Sequence, residues 1–298
     1  MSLTPPPPAS TPPPSLVRNA LPRLIGVIHL RPLPGSPGFE GDVSSIAAAC
    51  GRDAQALAEA GFEGIFVENY GDAPFEPGAV GPVTVAALTR CALAARVAAP
   101  TLPLGINVLR NDAEAALGIA VASGAAFIRV NVHIGARLTD QGIVEGAAHK
   151  TLRLRKALGS NVRILADIDV KHSAPLAARS LRDEAEDLAH RGGADALLVT
   201  GRGTGKTASL RDLDEVLAAA AAVSPSAPVP VYVASGVTEA GLASIAAAHG
   251  VIVGSCLRAD GRAGGRVDPK IARRFAEAFF ASRPKEGVPV GVDPSQSN

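Results

Sequence analysis

Short apolar runs alternate with longer stretches of helical periodicity along most of the chain. Eight runs of strand length begin at Leu24: LIGVIHL (24–30), GIFVENY (64–70), LPLGINV (102–108), AFIRVNV (126–132), RILADIDV (163–170), ALLVTG (196–201), VPVYVAS (229–235) and GVIVGS (250–255). Each is followed by an amphipathic or Ala-rich stretch that predicts a helix, at 43–60, 81–98, 112–123, 143–157, 175–191, 211–222, 238–247 and 268–281. The pattern is one strand and one helix, repeated eight times.

Strands that are apolar on both faces are typical of parallel sheets covered by helices. Eight such units close into a barrel, so the sequence predicts a single α/β domain, a (β/α)8 TIM-type barrel over residues 23–283. An open doubly wound sheet is the competing fold. It usually carries G-x-G-x-x-G after its first strand, whereas here the first strand runs into HLRPLPGSPGF.

The two ends of the chain lack this alternation. Residues 1–22 hold seven prolines before Ser15 and are predicted to form a disordered or polyproline-like arm, and residues 284–298 a flexible tail. The arm has neither the apolar centre of a secretory signal nor the composition of a transit peptide. Because uninterrupted apolar runs of about eighteen residues are absent from the sequence, we expect no membrane-spanning helix.

Composition narrows the classes of partner. The net charge of +1 gives no basic surface for nucleic acid or an anionic membrane, so we expect a small-molecule ligand or another protein. The three cysteines have no C-x-x-C spacing, which indicates a reducing compartment and hence a cytoplasmic protein. The Ala-rich exterior of the helices is compatible with a homo-oligomer.

Polar residues gather where the predicted strands end. Catalytic groups of such barrels lie at the carboxyl ends of the strands. The catalytic candidates are His29, Glu68, Asn107, Asn131, Asp167, Asp169 and Lys171. The last three alternate along one strand, so we expect them on one face, pointing into the barrel mouth.

The polar residues at the strand ends have two possible interpretations, one structural and one catalytic. Asp167 could merely neutralise Lys171, or Arg129 on the neighbouring strand. For any single residue, such a structural role explains its presence as well as a catalytic role does. Convergence of the whole set is better explained by acid and base chemistry, because coupled buried charges have shifted pKa values. Mg²⁺ is compatible with Glu68, Asp167 and Asp169, although no spacing compels it and no cofactor is otherwise indicated.

The last two strands end in small residues. Ser235, Gly236, Gly254 and Ser255 have almost no side chain for chemistry, but their backbone amides can approach a ligand closely. Loops at these positions of a barrel frequently bind phosphate, although glycine there is also an ordinary turn former. We therefore predict a phosphate site on these four residues.

The sixth apolar run opens into TGRGTGKT, which resembles a nucleotide-binding P-loop. A P-loop needs glycine five positions before Gly205, and that position is Thr200, so the motif is absent. Thr200 and Gly201 are expected to extend the phosphate site, with Lys206 as a counter-charge.

Taken in order, eight motifs resemble the BtpA family. They are VIHLRPLPGSP, GIFVENYGDAPF, GINVLRNDAEAAL, FIRVNVHIGARLTDQGIVEG, ILADIDVKHSAPL, DALLVTGRGTG, VASGVT and VIVGSCLRADG, and they extend from Leu24 to about Ala281. The resemblance implies a TIM barrel. The family is named for photosystem I biogenesis, and its members also occur where no photosystem exists.

Two functions of different classes follow. The first is an enzyme, a lyase or isomerase acting on a phosphorylated small molecule, in which Asp167 or Glu68 removes a proton while Lys171, His29 and Asn131 polarise or protonate the substrate oxygen. A Schiff base on Lys171 is a further option, opposed by the carboxylates expected beside it. The second is a non-catalytic assembly or regulatory factor in photosystem I biogenesis, which the resemblance implies.

Overall fold

A computed structural model of the protein describes residues 21–201 and 209–283. The predicted arm up to residue 20, the tail from residue 284 and Lys206 lie outside the described residues. The strands are β1 (Leu24–His29), β2 (Gly64–Glu68), β3 (Leu104–Asn107), β4 (Phe127–Val130), β5 (Ala136–Thr139), β6 (Gly142–Glu145), β7 (Arg163–Ile168), β8 (Ser173–Pro175), β9 (Ala196–Val199), β10 (Val231–Val233) and β11 (Gly250–Val253).

Eight of these strands form a closed parallel barrel, in the order β1-β11-β10-β9-β7-β4-β3-β2. Each predicted apolar run contains one of them, so the predicted barrel is confirmed. Their burial is complete or nearly so, since helices cover the outside and side chains fill the inside.

The helices cover the barrel in sequence order. They are α1 (Val43–Glu59), α2 (Pro82–Ala98), α3 (Ala113–Ser123), α4 (Ala148–Ala157), α5 (Leu181–His190), α6 (Leu210–Val223) and α7 (Pro269–Ala281). Short polar side chains cap several of them: Asp112 accepts from the amide of Ala115 at 2.8 Å to begin α3, and Ser180 does the same for α5. In the described ranges no helix is both long and apolar enough to cross a membrane.

Three predicted helices differ from those observed. The stretch 238–247 forms two 3₁₀ turns, Glu239–Gly241 and Ala243–Ile245, in place of the predicted α-helix. The helices predicted from 143 and 175 begin only at Ala148 and Leu181. The residues before them pair instead as strands of a three-stranded antiparallel sheet, β6-β5-β8, whose order leaves β5 in the middle.

The lower part of the barrel is closed by aromatic side chains. Phe66, Phe127 and Tyr232 are almost fully buried inside it, and the rings of Phe66 and Phe127 meet edge to face at 4.8 Å. Gly105 makes room for them, since a Cβ there would lie 2.1 Å from the Phe127 ring. These aromatic side chains therefore fill the barrel interior among the described residues, away from the carboxyl ends of the strands.

Candidate functional site

A cavity of about 240 Å³ opens at the carboxyl ends of the barrel strands. Two groups of residues line it on different strands. The charged wall consists of His29, Glu68, Asn107, Arg110, Arg129, Asn131 and Lys171. The glycine wall, which follows β10 and β11, consists of Ser235, Gly236, Gly254 and Ser255. Nine of the predicted site residues thus line one cavity, whereas Asp167, Asp169, Thr200 and Gly201 do not.

Glu68 presents its carboxylate to this cavity from the end of β2. Its Oε2 accepts a hydrogen bond of 2.6 Å from Nδ2 of Asn107, at the end of the neighbouring strand β3. Its Oε1 lies 3.8 Å from Nε2 of His29, at the end of β1 on the other side. One oxygen is therefore fixed by an amide, while the other faces an imidazole across a gap.

His29 is held on several sides. Its Nδ1 accepts a hydrogen bond of 3.1 Å from the amide of Gly264, and its ring lies 4.5 Å from that of Tyr70. Burial, followed by the positive charges of Arg258, Lys171 and Arg129, holds the pKa of His29 well below its usual value. The imidazole is therefore neutral at neutral pH.

Asp167 lies beneath the cavity, with a fully buried side chain. Arg129 donates to both of its oxygens, at 2.9 and 3.2 Å, and Asn131 donates to Oδ2. The Arg129–Asp167 pair that the sequence left open is present. Since its oxygens are occupied by these donors, Asp167 supports the charged wall from below.

Lys171 lines the cavity just beyond β7. Burial, followed by the charge of Arg129, lowers the pKa of its ammonium group, and Glu68 and Asp167 only partly oppose this. The carboxylates expected to favour the charged amine are present, but burial and the charge of Arg129 act against them. Arg110 fixes the local backbone by donating to the Lys171 carbonyl at 2.8 Å.

Asp169 leaves the strand face on which it was expected. Its φ of 46° breaks the alternation after Ile168, and its half-exposed carboxylate pairs with Arg137 at 2.6 Å. Arg137 is buried and also binds Glu184 at 2.7 Å. The expectation of one shared strand face is therefore wrong for Asp169, which belongs to an ion-pair network beside the small antiparallel sheet.

The glycine wall is made mainly of backbone. Gly236 has a φ of 66°, a left-handed conformation that favours glycine. Behind Gly254 lies the buried side chain of Arg258, which donates to the carbonyls of Gly254 and Val27. Thr200 and Gly201 are buried at the end of β9, away from the cavity lining.

Sequence reasoning missed three contributors. Arg110 and Tyr70 line the cavity, and Arg258 supports the glycine wall. Arg110 lies three residues after the end of β3, so its position near a strand end was a usable signal. The role of Arg258 depends on its side chain turning back to the carbonyl groups of Gly254 and Gly264, which the hydrophobic pattern of the sequence does not indicate.

The described residues bring together no cluster of three or more His, Cys, Asp and Glu that could hold a metal ion. The oxygen ligands considered for Mg²⁺ are separated, since Asp167 is paired with Arg129 below the cavity and Asp169 with Arg137 outside it. Glu68 is the one member of that set that lines the cavity.

A family model and a similar protein both indicate the same family for this chain. The BtpA family model matches residues 21–280. Photosystem I biogenesis protein BtpA of Synechocystis is 42% identical over 273 residues, covering 90% of this chain and 92% of that protein. An uncharacterised protein of Thermococcus kodakarensis is 46% identical over 255 residues, covering 85% of this chain and 94% of that protein.

Among solved structures, thiamine phosphate pyrophosphorylase of Pyrococcus furiosus is similar with a TM-score of 0.52. The alignment covers 87% of this chain and 96% of that one, at 12% sequence identity. At that identity the likeness shows the barrel fold alone.

Proposed function

The chain belongs to the BtpA family. We propose that it is an enzyme of the lyase or isomerase type acting on a phosphorylated small molecule. The observation that carries the proposal is the lining of a single cavity by two unlike walls. One wall offers backbone amides and small hydroxyls for a phosphate. The other offers groups that move protons.

The charges of the cavity favour an anionic ligand. Arg129 is neutralised by Asp167, which leaves Arg110 and Lys171 against the single carboxylate of Glu68. Since His29 is neutral, the lining carries an excess of positive charge when Lys171 is protonated. A phosphate would compensate this excess, and the low dielectric of a buried site strengthens that attraction.

The charged wall supplies the side chains that would carry out the reaction. We assign Glu68 the role of general base, because its carboxylate faces the cavity whereas that of Asp167 is occupied by Arg129 and Asn131. Lys171 and His29 lie where they can polarise or protonate a substrate oxygen. Removal of a proton beside a carbonyl, with charge developing on that oxygen, is common to isomerases and lyases.

The lowered pKa of Lys171 also supports covalent catalysis. An unprotonated amine can attack a substrate carbonyl carbon and lose water to form an imine. Borohydride would reduce that imine to a stable secondary amine, detected by mass spectrometry as an adduct on Lys171. Absence of an adduct with every carbonyl substrate that binds would leave acid and base catalysis without a covalent step.

Thermal unfolding against a panel of phosphorylated sugars, nucleotides and inorganic phosphate tests the phosphate site. A specific ligand at about 100 times its dissociation constant stabilises by about 2.7 kcal/mol. Gly236→Asp puts a carboxylate on the glycine wall and should abolish the shift. Gly124→Asp is the matched control, because Gly124 has nearly the same φ, 67°, has open space around it and does not line the cavity. Equal ligand-induced shifts of the unfolding temperature in the two variants would contradict a phosphate site on the glycine wall.

A second candidate is an assembly factor, favoured by the name of the Synechocystis relative and by apolar side chains on the outside of α2. Val83, Leu93 and Val97 are exposed there. This function does not need the cavity, so Lys171→Met should complement a deletion fully. If the protein is an enzyme, Lys171→Met should instead fold normally and fail to complement the deletion.

A further inference from the structure

A chain of hydrogen bonds links Arg258, which follows β11, to the imidazole of His29 at the end of β1. The guanidinium of Arg258 donates through Nη2 to the carbonyl of Val27 at 2.8 Å, through Nη1 to that of Gly254, and through Nε to that of Gly264 at 3.3 Å. The amide of the same Gly264 donates to Nδ1 of His29 at 3.1 Å. One buried cation therefore fixes the loop that contacts the ring.

This contact determines which ring nitrogen carries the proton. A backbone amide can only donate, so Nδ1 of His29 must be the unprotonated nitrogen. A neutral ring then has its proton on Nε2. That nitrogen lies 3.8 Å from Oε1 of Glu68, at the edge of the cavity. Protonation of Nδ1 would break the bond from Gly264.

The position of the ring is also restricted from the glycine wall. A Cβ at Gly254 would lie 2.8 Å from Cε1 and 3.1 Å from Nε2 of His29, closer than packed atoms allow. Gly254 is itself held by Arg258 through its carbonyl. Arg258 thus acts on His29 along two routes, through Gly254 and through Gly264.

Arg258 has an unusual set of partners for a buried cation. It is 3% exposed, and among the described residues it forms no ion pair within 4.0 Å. Its partners are three carbonyls on β1, at the end of β11 and in the loop that follows. The carboxylate that acts most on its charge is that of Asp53, which lies beyond ion-pair distance. Because a buried cation held by carbonyls alone is costly, this arrangement points to a positioning role.

We propose that the loop from Arg258 to Gly264 fixes His29 as the Nε2–H tautomer, so that a neutral imidazole offers a hydrogen-bond donor to a ligand oxygen beside Glu68, with Arg258 as the positioning residue. A neutral imidazole held in this way can polarise a carbonyl oxygen. That use of the donor rests on the proposed function, whereas the tautomer and its dependence on Arg258 do not.

Proton–nitrogen correlation spectra of the protein with isotope-labelled histidine test this directly. The chain has six histidines, and the His29 signals are identified by their loss in His29→Gln. In the wild-type protein near neutral pH we expect Nδ1 unprotonated and Nε2 protonated. In Arg258→Met the two neutral tautomers should mix. Arg262→Met is the matched control, because Arg262 is an exposed arginine of the same loop, and its spectrum should equal the wild-type one.

A proton on Nδ1 of wild-type His29 would overturn the proposal. An unchanged His29 spectrum in folded Arg258→Met would overturn the role of Arg258. If that variant does not fold, Arg258→Lys replaces it, since lysine keeps the charge but cannot span three carbonyls; an unchanged tautomer there counts equally against the role. Should the tautomer be found while the phosphate panel gives no thermal shift, the proposed function fails and the positioning stands.

Discussion

The two walls of the cavity are built in different ways. The charged wall is a network of buried side chains, in which Arg129 and Asn131 hold Asp167 and Asn107 holds Glu68. The glycine wall has almost no side chains and is supported from behind by a single guanidinium. One wall therefore depends on pairing of buried charges, and the other on the absence of side-chain atoms.

The walls should therefore fail differently when they are altered. Removing one partner from the charged wall leaves a buried charge without compensation, which lowers the free energy of unfolding strongly. Adding atoms to the glycine wall creates steric conflict, which displaces neighbours and obstructs the ligand. We expect four effects of decreasing size, three in the walls and one at a residue outside them.

Replacing Arg129 by Met should destabilise the protein most. Asp167 would remain fully buried without its ion pair, and the expected loss in free energy of unfolding is about 3–5 kcal/mol, measured by urea denaturation. Arg182→Met is the control, because its ion pair with Glu186 is exposed and should contribute less than about 1 kcal/mol. Similar losses in both variants would show that the charged wall does not depend on buried pairing.

Replacing Gly254 by Ala should cost about 1–3 kcal/mol, since the new Cβ must push the His29 ring aside. The same change at Gly118, inside α3 and with open space around it, should raise stability by about 0.5–1 kcal/mol. Both are read from the same denaturation curves. If Gly254→Ala were as well tolerated as Gly118→Ala, the close contact between the two walls would be absent in solution.

The pH dependence of stability should reveal the buried imidazole. Because its pKa is lowered in the folded state, the unfolded chain binds a proton first as the pH falls below about 6.5, and stability is lost from there down to the folded pKa. The free energy of unfolding of the wild type relative to His29→Gln should fall by up to about 1.4 kcal/mol per pH unit. A constant difference between pH about 7.5 and about 5.5 would mean that the ring titrates normally.

Replacing Asp169 by Asn should have the smallest effect. Its carboxylate is half exposed and Arg137 keeps Glu184, so we expect a loss of about 0.2–1 kcal/mol. The thermal shift produced by a phosphorylated ligand should be unchanged, because Asp169 does not line the cavity. Loss of that thermal shift in Asp169→Asn would show that Asp169 contributes to ligand binding.

The barrel was predictable because buried parallel strands leave a strong signal, continuous apolar runs separated by helical stretches. Asn107 and Asn131 were predictable candidates for the same reason, since polar residues at the ends of apolar strands stand out. What failed was extrapolation beyond a strand end. The alternation that placed Asp169 beside Asp167 stops where its φ becomes positive, and period alone does not report this.

Long-range contacts were harder still to predict. Arg258 is 229 residues from His29 in the chain, yet it acts on that ring through Gly264. No local pattern couples them, because the contact exists only once β1 and β11 pair as neighbours and close the barrel. The small antiparallel sheet was missed for a similar reason, since β5 pairs with β8 across two intervening strands and a helix.

A crystal structure of the protein grown with inorganic phosphate would test directly whether the glycine wall binds the anion. We predict the anion on the glycine wall, within hydrogen-bonding distance of the backbone amide of Gly254, with Glu68 and Lys171 facing it across the cavity. Phosphate bound instead by Arg110 and Lys171, with the glycine wall unoccupied at saturating concentration, would contradict the division of labour between the two walls.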